Sequence, residues 1–492
     1  MKSMHRFMGI DLGTTAVKCL VLNEKGETLA QSRKIYERIT NTKNWIEQDP
    51  NDWWEATGEG IRECIEMLGT NEIDAISFSG HMSAPVFMDN QKEVIYNSIL
   101  IADTRSSKQT SFLAANYGER FRKMTGNTPI DAFTVSKLLW FKENEPKLYE
   151  KLATFIFPKD YIRYKLTGVL GTDTTDAGNS LLYNFQEQSW AGELIEELGL
   201  DTKIFPKVSN SLDVCGEVIK EASQITSLKI GTRVITGAAD MACSQIGSGA
   251  TKENVTAITL STSIQVVRTI KQFREGLSDK MTYHQSALPG QMYTMSSIFS
   301  GGYAVDWAYK FLFNKKCMVA QDYEEINQRT KGIVSNILFI PFLTGSGSPY
   351  FNQEDAAGWY GLRPSTQKME AIVAVFEGIT YNVRDNMDIL ENVLGDSETI
   401  YIAGGGSRYE AWPQIIANVL QKPVQVLKNK DASGLGAAIL AGVGAEVFIS
   451  LEECFKEFNQ VEAVIEPEPK QMKGYDAAYC RYQMLYQAIQ KL

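Results

Sequence analysis

The sequence predicts an α/β protein of two domains around a central cleft, and three observations carry that prediction. At 492 residues the chain exceeds what one hydrophobic core usually organises. Through its first half, short runs of branched apolar residues alternate with helical patterns, the signature of a sheet with helices on its faces. The second half opens again on the strand, polar turn and strand that begin the chain, which reads as an internal duplication with its division near residues 245 to 255.

Taken in order, "FMGIDLG" and "AVKCLVLN" read as strands joined by Gly-Thr-Thr and closed by the "NEKGE" turn, a hairpin. A helix follows in "WIEQDPNDWWEATGEGIRECIEML", where Asp49 can cap and Pro50 suits the first turn. Trp45, Trp53 and Trp54 are read as packing residues. "IDAISFSGHM" is a strand ending in a glycine turn, and "PVFMD" with "NQKEVI" forms a further hairpin. After the strand "TRVITG" comes the small, glycine-rich "AADMACSQIGSGATKENV", then "AITLSTSIQVV", another strand pair about a hydroxyl-bearing turn. "TIYIAGGGSRYEAWPQIIANVLQKPVQVL" reads as strand, three-glycine turn, helix and strand, and "DASGLGAAILAGVGA" as a helix whose small residues permit close packing. The tail carries "YDAAYCRYQMLYQAI", aromatics at helical spacing that dock on the core.

Composition excludes several function classes. The formal charge of −10, with basic residues spread along the chain, argues against a nucleic-acid or anionic-membrane surface. Seven dispersed cysteines form neither a CxxC pattern nor a disulfide framework, which fits a reducing cytoplasm. No apolar run approaches a membrane span, and the N-terminus lacks a signal-peptide core. The expected setting is cytoplasmic and the expected partners are small molecules, with a homodimer left open as the assembly.

The opening strand ends in Asp11, followed at once by Gly13, Thr14 and Thr15. A glycine turn lets backbone N–H groups approach a phosphate, and the threonines add hydroxyl donors. Asp11 would repel a phosphate unless a divalent cation intervenes, so it implies Mg²⁺. The alternative is a hairpin whose aspartate satisfies turn amides. Lys18 either reaches phosphate or points to solvent, the second reading being preferred. Ser261 and Thr262, with Ser263, supply a second hydroxyl-lined turn, and Gly404, Gly405 and Gly406 end a strand where a ligand can approach bare backbone.

"GIDLGTTAVKCLVLN", "TDTTDAGNSLLYN", "ITGAADMACSQIGSGA", "IPFLTGSGSPYFNQEDAAGWYGL" and "YIAGGGSRYEAWPQIIANVL" together resemble successive blocks of the FGGY carbohydrate kinases, with xylulokinases the nearest subfamily. That resemblance implies two ribonuclease-H-like domains of the actin and sugar-kinase superfamily, with ATP and Mg²⁺ between them. The reaction it implies is γ-phosphoryl transfer to a sugar or polyol hydroxyl. It divides the chain into an N-terminal domain over 1–248, a nucleotide-binding C-terminal domain over 249–446 and a helical tail over 447–492.

By the same resemblance Asp240, at a helix start, is the catalytic base and shares the metal with Asp11. His81, Met82 and Ser83 stand in the substrate block, where Ser83 replaces the family's histidine. His81 either substitutes for that histidine or is a strand-end residue satisfied by backbone. Asp103 would accept bonds from sugar hydroxyls with Arg105 bracing it, the alternative being a surface ion pair. Gly302, Gly405 and Gly406 match nucleotide positions; Asp306 is an adenosine contact or simply starts a helix with Trp307. Lys137 and Trp140 are read as packing.

A pentulose such as xylulose is the first expectation from the resemblance, although the "LTGSGSPYF" stretch lacks the Glu-Arg pair many xylulokinases carry, a departure that counts against xylulose. Gluconate, a tetritol or other polyol, and a furanone-type signal stand beside it. Outside the class, the alternatives are an actin-like nucleotide-gated chaperone and a sugar sensor.

Overall fold

The computed structural model describes residues 4–41 and 45–491. The chain forms two compact units. The first holds the described residues of Met1–Gly247 with Tyr283–Tyr293 and Ala432–Asn459; the second holds those of Ser248–Thr282, Thr294–Asp431 and Gln460–Leu492. The contiguous spans expected from the sequence therefore meet an interleaved chain, in which "DASGLGAAILAGVGA" is part of the first unit.

In the first unit β1 (Arg6–Leu12), β2 (Ala16–Asn23) and β3 (Thr28–Ile35) form an antiparallel meander. The "NEKGE" turn works because Asn23 Oδ1 accepts the amides of Lys25 and Glu27, at 3.0 and 2.9 Å. Helix α1 (Pro50–Leu68) starts where the sequence places it: Asp49 accepts the Asn51 amide, Pro50 fills the first turn, and Gly69 closes the helix at φ 64°. Strand β4 (Ala75–Gly80) returns parallel to β1. Then come α2 (Thr134–Asn144), α3 (Pro158–Thr167), α4 (Thr174–Gly178), β5 (Val214–Glu217), β6 (Arg233–Ile235), the two-residue β7 (Ala238–Ala239) and α5 (Asp240–Gly247). The sheet runs β5-β6-β4-β1-β2-β3, with β7 also paired to β4.

The helix Ala432–Gly444 closes over this sheet at backbone distance. A Cβ on Gly9 would lie 2.5 Å from the Gly434 carbonyl oxygen, and one on Gly436 would lie 2.0 Å from that of Cys243 in α5. Only glycine fits these crossings, which is why the segment is rich in small residues.

The second unit repeats the first unit's path. β8 (Val255–Leu260) and β9 (Ile264–Ile270) form the antiparallel hairpin about "STS". After α6 (Gly302–Phe313) and the long α7 (Lys368–Leu394), β10 (Thr399–Ala403) returns parallel to β8. Helix α8 (Ala411–Leu420) leads to β11 (Val424–Leu427), parallel to β10. β12 (Val461–Ile465) adds an antiparallel edge that the sequence reading placed within a helical tail; five residues with no strict apolar–polar alternation give the strand little signal. The last helix, α9 (Pro469–Ile489), buries Tyr475, Tyr479, Tyr482 and Tyr486, as its aromatic spacing predicts. Among the described residues no helix is long and apolar enough to cross a membrane.

Two stability predictions follow from the packing. Gly436→Val drives a branched side chain into the Cys243 carbonyl and costs about 3 kcal/mol or more, read as a lower midpoint in urea unfolding. Glu377, buried in α7 and accepting the Ser335 amide at 3.1 Å, has its pKa raised from 4.5 to about 8 by burial. Between those values the folded chain holds a proton that the unfolded chain has released, so this residue's contribution to stability falls as pH rises. Glu377→Gln removes that slope: its gain in Tm over wild type is largest near pH 8.5 and shrinks toward pH 5, a trend a series of thermal melts would record.

Candidate active site

Asp11 and Asp240 reach the same end of the first sheet along different strands. In the ladder Ser79 of β4 faces Asp11 of β1 on one side and Ala238 of β7 on the other. The two backbones are thus about two strand spacings, roughly 10 Å, apart. Asp240 follows β7 directly and begins α5, its Oδ1 accepting the Met241 amide at 2.8 Å. Asp11 is buried; Ser79 donates to its Oδ1 at 2.7 Å and Ser433 to its Oδ2 at 3.0 Å, with Lys18 Nζ 3.7 Å from Oδ2. Lys18 is therefore directed at Asp11 and is not a purely solvent-facing residue. Burial raises Asp240 to about 7, and the Asp11 charge adds to the shift.

The turn after Asp11 differs from its expected form in one donor. The Gly13 amide is spent on the Ala16 carbonyl, at 3.1 Å, because the hairpin closes there. Exposed Thr15 and half-buried Thr14 keep hydroxyls with no partner among the described residues. Gln48 fixes the turn from below: its Nε2 donates to the Thr14 carbonyl at 3.0 Å while its Oε1 accepts from Trp53 Nε1 at 3.1 Å.

Trp53 also meets His81 edge to face, with ring centroids 5.1 Å apart. The His81 amide bonds the Leu12 carbonyl at 2.9 Å, but both ring nitrogens are buried and without a partner among the described residues. The backbone-satisfied reading thus holds for the main chain and fails for the ring. Burial lowers its pKa to about 3, so the imidazole is neutral. Met82 is buried, and Ser83, at φ 67°, donates to the Asn179 carbonyl at 3.3 Å.

Asp103 and Arg105 form a sealed pair, which corrects the surface reading: their side chains are 0% and 1% exposed. Arg105 Nε donates to Asp103 Oδ1 at 2.9 Å and Nη2 to Oδ2 at 2.7 Å, the fork geometry of a bidentate pair. The amides of Arg105 and Ile46 take up further capacity on the same carboxylate, at 2.9 and 2.5 Å. The guanidinium lies 4.2 Å from the Trp45 ring and 4.9 Å from that of Trp140, so these tryptophans hold a cation as well as fill space. Lys137, on α2, is buried and donates to the carbonyls of Asp131 and Ala132, both at 2.9 Å. Its pKa is lowered to about 7 by burial.

In the second unit the turn carrying Ser261 and Thr262 caps α6. The Gly302 amide bonds the Ser261 carbonyl at 2.7 Å and that of Tyr303 bonds Thr262 at 3.2 Å, so these helix-start donors are occupied. Asp306 sits inside α6, not at its start, and accepts from Tyr323 Oη at 3.2 Å. Gly404, at φ 87°, packs against Leu260, and Gly406 is wedged between Leu260 and Trp412. Gly405 is exposed, with open space where a side chain would be.

A group of residues that sequence reasoning left without roles lies beneath Asp240. Lys159, fully buried, sits 2.6 Å from Asp160, 2.9 Å from Asp173 and 3.0 Å from Asp176. Asp173 in turn accepts the hydroxyls of Thr175 and Ser211, each at 2.7 Å. The "TDTTDAG" block was visible in the sequence, but nothing local to Lys159 marks it as a buried cation.

Two carboxylates whose charges oppose one another, with hydroxyls on the Asp11 oxygens, are a hard-oxygen set that suits Mg²⁺. Among the described residues no group of three or more His, Cys, Asp or Glu would cage a metal. An ion here would draw its remaining ligands from phosphate and water.

Comparison with known proteins places the chain in a family. The model of the FGGY family of carbohydrate kinases, N-terminal domain, matches residues 6–247, and its C-terminal domain model matches 257–445. A xylulose kinase of Bacillus subtilis is 29% identical over 488 residues, covering 98% of this chain and 97% of that one. Among solved structures, one described as a xyloylose kinase from Brucella ovis superposes with a TM-score of 0.90 at 27% identity, covering 99% of this chain and 100% of its own. The gluconate kinase of Lactobacillus acidophilus also gives 0.90, at 26% identity, covering 99% and 98%. With both of its halves matched, the chain belongs to the FGGY family of carbohydrate kinases.

Proposed function

We propose that this kinase transfers the γ-phosphoryl group of ATP to a hydroxyl of a neutral sugar or polyol, a pentulose such as xylulose first among them. The observation that carries this reading is Asp240, raised to about 7 by burial and by Asp11 at the same sheet end. A carboxylate tuned to that range can accept a hydroxyl proton at neutral pH. Asp240 orients the attacking oxygen and takes its proton, while Asp11, with Asp240, would hold Mg²⁺. Bound with ATP, Mg²⁺ supplies neutralisation of the phosphate charge. Thr14 and Thr15 offer hydroxyls to phosphate, and Gly405 offers open backbone to the nucleotide.

Gluconate is the competing substrate, since a gluconate kinase shares the fold. Its carboxylate would call for a free cation. Arg105 is bound to Asp103 and Glu47, and Lys159 and Arg163 are bound to buried aspartates. With those charges committed inside the unit, a neutral acceptor is favoured.

A panel of xylulose, ribulose, xylitol, erythritol and gluconate, read by ADP release, tests both statements; fastest turnover on gluconate would refute the neutral-acceptor reading. Asp240→Asn should reduce sugar-dependent ADP release by at least about a thousandfold, more than the 10²–10⁴ usual range's lower bound for loss of a general base, with nucleotide binding retained. Near-normal turnover in that variant would remove Asp240 from its role.

A further inference from the structure

We infer that Thr175 is a positioning residue for Asp240, acting through the backbone of Ala239. This deepens the assignment of Asp240 as base and rests on it. Strand β7 is two residues long and pairs only with β4 among the described strands. Successive amides along a strand point to opposite sides, so a strand with one neighbour leaves an amide to be satisfied elsewhere. The amide of Ala239 is fully buried and finds the Thr175 hydroxyl at 2.8 Å.

That hydroxyl is itself held in one orientation. It donates to Asp173 Oδ2 at 2.7 Å, and Asp173, whose pKa is lowered despite its burial by Lys159 and its hydrogen bonds, is an acceptor only. With its proton committed there, the Thr175 oxygen presents a lone pair to Ala239. Asp173 is anchored in turn: Lys159 Nζ lies 2.9 Å from Oδ1, and Ser211 donates to Oδ2 at 2.7 Å. Lys159 is pinned under the strand that pairs with Ala239, since a Cβ on Gly80 would stand 2.7 Å from the Lys159 Cβ.

Ala239 is thus braced on both sides, by Gly80 across the ladder and by Thr175 opposite it. The next residue is Asp240. A displacement of about 1 Å in a reacting group can cost of the order of a hundredfold in rate, so an unbraced strand end would act on turnover more than on binding.

The test compares Thr175→Val, Thr175→Ser and Ser211→Ala in the full-length kinase, with ATP and the best acceptor from the panel. Thr175→Val should lower kcat by about ten- to a hundredfold while KM for both substrates stays within about threefold, and Thr175→Ser should restore kcat. Ser211→Ala removes one donor to Asp173 but leaves the Lys159 contact and the Thr175–Ala239 bond in place, so its loss of kcat should be clearly smaller than that of Thr175→Val. Wild-type kcat in Thr175→Val overturns the proposal, as does an equal loss in Ser211→Ala or no rescue by serine. If Thr175→Val does not fold, Thr175→Ala carries the same expectation; failure of both to fold would make the hydroxyl a core element and overturn the positioning role. Asp240→Asn in the same assay separates the two readings: if it turns over normally the base assignment fails, whatever Thr175 does.

Discussion

Two like charges held at one end of one sheet are the constraint on which the rest of the first unit depends. The ladder fixes the backbones of Asp11 and Ala238 on either side of Ser79, and burial of Asp11 denies its carboxylate the water that would screen it. Lys18 meets this charge from a more open position, 3.7 Å from Asp11 and 43% exposed. Hydroxyls of Ser79 and Ser433 satisfy Asp11. Neutral donors hold a carboxylate in place without cancelling its charge, which leaves its attraction for a divalent cation intact.

Holding that pair requires the surrounding backbone to be close and unyielding. Gly9 and Gly436 let the helix Ala432–Gly444 touch β1 and α5 at main-chain distance. Both carboxylates are thereby tied to one helix, Asp11 through Ser433 on it and Asp240 through α5 packed beneath it. A stretch far along the chain thus joins the first unit because small residues permit an approach that no larger side chain would.

How much of this was legible in the sequence depends on the range over which each signal acts. Asp49, Pro50 and Gly69 define a helix within a few residues of themselves, and the "NEKGE" turn is closed by its own asparagine. The duplication was legible because hairpin and parallel return recur in both halves. Asp11 was readable as chemistry because it ends an apolar strand where a charge is out of place, whereas Asp240, at a helix start, was marked only by the family resemblance. What was not legible arises from distant contacts. Asp103 and Arg105 read equally well as a surface pair, and only Trp45 and Trp140 closing over them show otherwise. Lys159 looks like an ordinary helix lysine until three aspartates from two segments converge on it. Gly302 matched a nucleotide position, but its amide is spent on a hairpin that lies some forty residues earlier in the chain, a contact no local pattern shows.

The polar interior of the first unit also bears on what kind of acceptor suits it. Lys159 and Arg163 face Asp160, Asp173 and Asp176, and burial raises the Asp176 pKa well above its ordinary value. Both cations are spent on these carboxylates, and neither is left to meet a charged ligand. The His81 ring differs, since neither nitrogen is spent. Leaving buried polar atoms unpaired costs free energy that a core histidine would recover with a partner. Held neutral, the imidazole has one donor and one acceptor nitrogen, which match an alcohol hydroxyl in kind, itself both donor and acceptor. A carboxylate would use only the donor and leave the other nitrogen facing its charge. The chemistry of this ring therefore supports the neutral acceptor proposed above.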